Sequence, residues 1–214
     1  MITWLQAKKQ AYQQLPWATL SLLAANVIAY IVLAIGYEFS IWNILVPDEK
    51  ALASWGQDNR AIIEEGQIYR LGTALFVHAN IVHLLSNVLF LVIFGLRFEE
   101  LRSSRELLLI YLVSGFAGNL LTLLWGTDYL SVGASGAVFG VFGANLMLLR
   151  RYYRQQMRTA FFIAFIFFTI TISVDTNILA HFGGLCAGLV LGYSLDRRSS
   201  SQPSRTRSRH RRKR

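Results

Sequence analysis

Apolar residues in this chain come in long blocks, and most of the charged residues stand between the blocks. Six blocks read as membrane-crossing helices, at about 17–36, 81–98, 107–125, 135–149, 160–174 and 178–195. A crossing helix needs about 20 predominantly apolar residues, fewer where protein or a water-filled cavity covers one end. The fourth block is short by that measure, which suits a helix that starts below the membrane surface at a site entered by water. Between the first two blocks, residues 38–77 mix Ile41, Trp42, Ile44, Leu45, Val46, Trp55, Ile62 and Ile63 with acids. Tryptophan and amphipathic character predict that this long stretch lies at the interface instead of crossing it.

Composition agrees with the pattern. Hydrophobic residues make up 54% of the chain and charged residues 15%, with mean hydropathy +0.40. A soluble domain carries about 25% charged residues, so the shortage reflects spans and not a large soluble core. Lys and Arg then set the orientation. With the N-terminus inside, the inner segments hold Lys8, Lys9, Arg97, Arg102, Arg105, Arg150, Arg151, Arg154, Arg158 and every basic residue from Arg197 on. Of the 21 basic residues only Lys50, Arg60 and Arg70 fall outside, a bias that predicts both termini on the cytoplasmic side. The expected architecture is an all-α membrane protein of six transmembrane helices. Its parts are a cytoplasmic segment 1–16, a helical domain 17–195 and a basic cytoplasmic tail 196–214, Ser- and Arg-rich and disordered from 199.

The tail and a pI of about 10.1 raise the question of nucleic acid. No aromatic is interleaved with the arginines to stack on bases, and attraction to anionic lipid head groups is the better reading. The first block is too long for a secretory signal and no cleavage site follows it. The single cysteine, Cys186, excludes an internal disulfide. No Cys-x-x-Cys or His-Glu-x-x-His run occurs, so neither zinc nor another cofactor is expected.

Under this topology the second, fourth and sixth blocks run inward, and His78, His83, Ser135 and His181 all come near their outer ends. Ser135 lies in Val132-Gly133-Ala134-Ser135-Gly136-Ala137-Val138-Phe139-Gly140. Flanking glycines let backbone approach closely, and a helix N-terminus offers free N–H groups to a developing anion. The plainer reading is helix packing through small residues, Gly140 and Gly143 included. His181 heads a block in which Gly184, Gly188 and Gly192 recur every four residues. An ionisable group in a membrane segment is a functional candidate by default, although a buried histidine bonded to a carbonyl is the alternative. If the fourth block packs on that glycine face, Ser135 and His181 meet as nucleophile and general base. His83 and Asn87 are four apart on one helix face and are suitable oxyanion donors. His78, further out, is read as structural. A metal site on His78, His83 and His181 lacks a carboxylate in reach. The fifth block, crowded with Phe161, Phe162, Phe165, Phe167 and Phe168 and free of small-residue repeats, is the expected gate for substrate. The alternative is that these rings merely face lipid.

Three runs together carry a resemblance: Gly133-Ala134-Ser135-Gly136, His78-x4-His83-x3-Asn87, and Ala180-His181-x-x-Gly184-x-x-x-Gly188. In their order along the chain, His78 to Asn87 first, they make the chain resemble the rhomboid family of intramembrane serine proteases, from the first block to the sixth. The resemblance implies a six-helix bundle, a Ser135–His181 dyad with no aspartate, and an oxyanion hole of His83, Asn87 and the Ser135 backbone N–H. It implies Glu99 as a structural hydrogen-bonding residue, while Gly133, Gly136, Gly184 and Gly188 support the motifs. Transmembrane proteins are the expected substrates, cleaved at a site opening to the extracytoplasmic face of a prokaryotic plasma membrane. An inactive relative that binds membrane clients is the alternative, and the intact Ser135 and His181 argue against it. Two positions depart from the pattern. Tyr69-Arg70 replaces the usual Trp-Arg of the outer loop. Phe139 replaces a tyrosine, keeping the ring over the base and losing the hydroxyl.

Overall fold

The computed structural model describes residues 15–36, 41–170 and 176–201. In chain order the helices are α1 (Trp17–Gly36), α2 (Glu49–Trp55), α3 (Asn59–Glu65), α4 (Arg70–Thr73), α5 (Ile81–Leu101), α6 (Ser104–Thr122), α7 (Ser135–Tyr152), α8 (Met157–Ile170) and α9 (Ile178–Ser201). Four of the described helical segments are long and apolar enough to cross a membrane: Trp17–Gly36, Ile81–Leu101, Ser104–Trp125 and Ile178–Arg197. Two further apolar helices, Ser135–Arg150 and Met157–Thr169, are shorter.

α7 is short for a physical reason: it sits among α5, α6, α8 and α9, and nearly every residue from Gly136 to Met147 is buried. A helix apolar all round belongs in a core, and one enclosed by protein need not match the lipid thickness. Lipid tails are as apolar as leucine, so close packing must hold these helices together. The α7–α9 seam provides it. A Cβ added at Gly184 would collide with the Gly136 carbonyl, one at Gly188 with the Gly140 carbonyl, and one at Gly192 would lie 2.6 Å from Ala144 Cα. The four-residue glycine spacing therefore marks a backbone-to-backbone contact.

Local chemistry moves several boundaries from those expected. Asn80 caps α5, its side chain accepting the His83 N–H at 2.8 Å. At the other end α5 runs on to Leu101, with Glu100 paired to Arg97. α6 starts at Ser104 because Ser103 and Glu106 form a capping box. α8 starts at Met157, ahead of 160. The largest correction concerns the tail expected from 196. Asp196 is buried and pairs with Arg150 of α7 at 3.7 Å, and α9 continues to Ser201. The rest of the tail (202–214), the segment 1–14 with Lys8 and Lys9, residues 37–40 with Glu38, and residues 171–175 lie outside the described residues.

The segment between α1 and α5 is built from short elements. β1 (Gln57–Asp58) pairs antiparallel with β2 (Leu130–Ser131), Gln57 opposite Ser131. Arg70 is buried and donates from one guanidinium nitrogen to the carbonyls of Ala53 (2.6 Å) and Gly56 (3.0 Å), tying down the end of α2. Tyr69 lies against the same guanidinium, 5.7 Å from its ring centroid. At the opposite end of the bundle, Glu99 of α5 accepts the backbone N–H groups of Ala18 (3.3 Å) and Thr19 (3.0 Å), together with the Thr19 hydroxyl. A carboxylate there satisfies open donors of the first turn of α1.

Candidate active site

β2 leads into the loop 132–134, and α7 begins at Ser135 itself. The backbone N–H of Ser135 is thus among the first-turn groups that have no partner inside the helix. Gly133 makes this entry possible. Its φ is +130°, and an added Cβ would lie 2.7 Å from His83 Cε1, 2.8 Å from His83 Nε2 and 3.8 Å from Ser135 Oγ. No other residue combines that backbone conformation with such close approach of an imidazole. The loop is further pinned where Gly133 N–H donates to the Ala74 carbonyl at 3.0 Å.

Ser135, His181, His83 and Asn87 line one cavity of about 590 Å³, with Gly133, Phe139 and Phe167 also in its wall. The seam explains how they come together. Ser135 precedes Gly136, and His181 precedes Gly184 by three residues on nearly the same face. Contact of Gly136 with Gly184 therefore brings both side chains to one level. His181 is buried, its ring stacked on Phe139 at 4.4 Å and 26°. Phe139 is one helical turn after Ser135, so α7 presents both the hydroxyl and the plate on which the imidazole rests. His181 Nδ1 is buried and has no hydrogen-bond partner among the described residues.

Asn87 is buried, and its Nδ2 donates to the His83 carbonyl at 2.9 Å. A side-chain amide carries two N–H donors, so that bond spends only one. His78 does not line the cavity. It is fully buried, with its ring edge against His83 at 5.2 Å. Burial, with His83 beside it, pulls His78 down to about 3, so it is neutral across physiological pH. Tyr129 also lines the cavity, and burial raises its hydroxyl above the usual value.

The phenylalanines of α8 divide by face. Phe161, Phe162 and Phe165 point away from the bundle, 51%, 64% and 65% exposed. Phe167 lies 4.2 Å from Phe142 and 5.2 Å from Phe139, and Phe168 lies 5.9 Å from Phe139. Phe167 thus lines the cavity and Phe168 packs on Phe139, while the other three rings face outward; the fifth block is also not free of small residues, since Ala160 and Ala164, four apart, are buried in the cluster with Phe139, Phe142 and Leu185. Arg70 and Glu99 also lie away from the cavity, at the scaffold contacts described above. Among the described residues no group of three or more His, Cys, Asp or Glu is placed to hold a metal ion. Asn177, Ser131 and Asn119 also line the cavity, and the motif reading passed over them. Asn177, directly ahead of an apolar helical block, carries a helix-start signal that could have drawn notice.

Comparison with known proteins points one way. The Rhomboid domain family model matches residues 65–198. RHOMBOID-like protein 6, mitochondrial, of Arabidopsis thaliana is 36% identical over 159 residues, covering 71% of this chain and 52% of that protein. YdcA of Bacillus subtilis (strain 168) is 34% identical over 137 residues, covering 61% of this chain and 69% of its own. Rhomboid-like protease 3 of Toxoplasma gondii is 30% identical over 178 residues, covering 78% of this chain and 65% of that protein. The chain spans about half the length of the Arabidopsis relatives. Relatives in a plant, a bacterium and Toxoplasma do not single out the prokaryotic membrane expected from the sequence.

Proposed function

The chain belongs to the rhomboid family, and from that premise we propose that it is an intramembrane serine endopeptidase working through a Ser135–His181 dyad. The observation that carries the reading is the single cavity shared by Ser135, His181, His83 and Asn87 beside the α7–α9 seam. Ser135 Oγ attacks the carbonyl carbon of the scissile bond while His181 Nε2 takes the hydroxyl proton. The oxyanion forms against the Ser135 backbone N–H and the His83 and Asn87 side chains. Collapse expels the amine, which receives the proton from His181 and leaves an ester on Ser135. Water, deprotonated by His181, then hydrolyses that ester and frees the enzyme. No carboxylate is needed in the cycle, because Phe139 holds the ring plane.

The accompanying topology is six spans with both termini cytoplasmic and the cavity open to the extracytoplasmic side. The Lys and Arg bias supports it. The segment between α1 and α5 then rests at the outer interface with Trp42 and Trp55 exposed to it. Substrates are single transmembrane helices whose outer half carries Gly, Ser or Pro. A scissile bond must leave its helix to reach Ser135, and these residues lower that cost.

The direct test is cleavage of a single-pass protein in liposomes. Ser135→Ala and His181→Ala are expected to be inert, and wild-type cleavage by either would overturn the dyad. A fluorophosphonate probe separates enzyme from client-binding protein: labelling of folded wild type at Ser135 supports the former. Replacing the helix-breaking residues of a cleaved substrate by leucine should slow its hydrolysis.

A further inference from the structure

We infer that Asn177 is the positioning residue that sets His181 against Ser135, a role that rests on the dyad reading above. Asn177 stands four residues before His181 and is bonded in two directions. Toward its own helix, its Oδ1 accepts the Ala180 N–H at 3.0 Å and its backbone carbonyl accepts the His181 N–H at 3.1 Å. Away from it, Nδ2 donates to Ser131 Oγ at 2.7 Å and to Thr122 Oγ1 at 2.9 Å. Both amide hydrogens are spent on these two cross-links. Ser131 belongs to β2, four residues ahead of Ser135, and Thr122 ends α6. One side chain therefore joins the segment that delivers the nucleophile to the helix that delivers the base.

The surroundings show what the joint holds. The Ala180 carbonyl occupies the place where a Cβ on Gly118 of α6 would sit, and it would lie 3.0 Å from a Cβ on Gly136 of α7. Ala180, directly before His181, is thus wedged between two helices beneath the cavity. Thr122 is itself tied back by its hydroxyl to the Gly118 carbonyl at 3.0 Å. In a Ser-His-Asp triad the third residue orients the base through the second ring nitrogen. That nitrogen of His181 has no partner among the described residues. Phe139 fixes the plane of the ring, while its placement against Ser135 enters through the backbone of the first turn of α9, and Asn177 supplies it.

Asn177→Ser separates the two halves of this role. Serine still offers a capping oxygen but is too short to reach Ser131 and Thr122. With the full chain in liposomes, Asn177→Ser should unfold near the wild-type temperature yet lose about tenfold or more in kcat, as misplacement of reacting groups does. KM should stay within about twofold, and fluorophosphonate labelling should slow in step with kcat. Asn177→Ala, which also loses the cap, should lower the unfolding temperature as well. Ser131→Ala should lower kcat, and the Asn177→Ser, Ser131→Ala double variant should be no slower than Asn177→Ser alone. Wild-type kcat in Asn177→Ser, a loss confined to KM, or additive losses in the double variant would each overturn the role while Ser135 still labels. A wild type that leaves Ser135 unlabelled while Ser135→Ala cleaves normally would instead overturn the dyad, and the positioning role with it.

Discussion

Between α7 and α9 the backbones touch, with Gly184 and Gly188 pressed on the carbonyls of Gly136 and Gly140. Between α7 and α8 the contact described is between side chains, Phe167 and Phe168 against Phe139 and Phe142, with Ala160 and Ala164 buried in the same cluster. The two sides bound the same cavity but answer a push differently. A backbone contact has no rotamer to change, so separating α7 from α9 means losing the packing whole. An aromatic pair is worth about 0.5–1.5 kcal/mol beyond its buried area and can re-form in another rotamer. The side carrying Ser135 and His181 is built to stay, and the side under α8 is built from contacts that can be exchanged. Entry of substrate past the fifth block, the gate expected from the sequence, fits the second side.

Putting a side chain into the fixed seam should have the largest effect. Gly184→Val should unfold at a clearly lower temperature in micelles, since overpacking costs about 1–3 kcal/mol even where neighbours can shift. Fluorophosphonate labelling at Ser135 should fall below detection. Gly72→Ala, where an added Cβ meets nothing within 4 Å, serves as the neutral control. Unchanged labelling in Gly184→Val would show that the seam yields and would dissolve the contrast.

A smaller effect is expected at the third wall, α5. Removing one oxyanion donor costs about 10²–10³ in kcat where that donor works alone. Asn87→Ala and His83→Ala should each cost less, about tenfold, because three donors share the charge in the proposed oxyanion hole. KM should hardly move, as the donors act on charge present only in the transition state. A loss seen only in KM would make α5 a wall that shapes the cavity for substrate.

The smallest change is expected on the exchangeable side. Phe167→Leu should raise cleavage of a transmembrane substrate a few-fold and leave a soluble peptide nearly unaffected. Phe161→Ala and Phe165→Ala, on the outward face, should change neither rate. A lowered transmembrane rate in Phe167→Leu, with the protein still folded, would mean that α8 is as fixed as α9.

The difference between these two sides was only half legible in the sequence. Glycines at a four-residue spacing carry their meaning locally, because only a close neighbour explains a whole face without side chains. That Ser135 and His181 would come to one side of the bundle followed from that spacing, and both line one cavity. The orientation of α8 did not follow, because lipid and protein core are equally apolar and no hydrophobic pattern separates Phe167 from Phe165. Polar cross-links were hidden for another reason. Asn177, Ser131 and Thr122 lie far apart in the chain, and only the fold brings them together. Asp196 misled in the opposite sense, since a charge beside arginines reads as tail until Arg150 is seen to reach it.

The Glu99 contact has a consequence for biosynthesis. Glu99 follows Thr19 by 80 positions, yet it closes the first turn of α1. While the chain is being made, α1 enters the bilayer long before its cap exists, with the N–H groups of Ala18 and Thr19 open. Unsatisfied donors are costly at membrane depth, so the nascent α1 must keep that end among head groups or insertion machinery until α5 arrives. A helix made some 80 residues before its cap is therefore among the later ones to be finished. A nascent chain stalled before α5 should expose its first turn to protease or exchange with water, and one stalled beyond Glu99 should not.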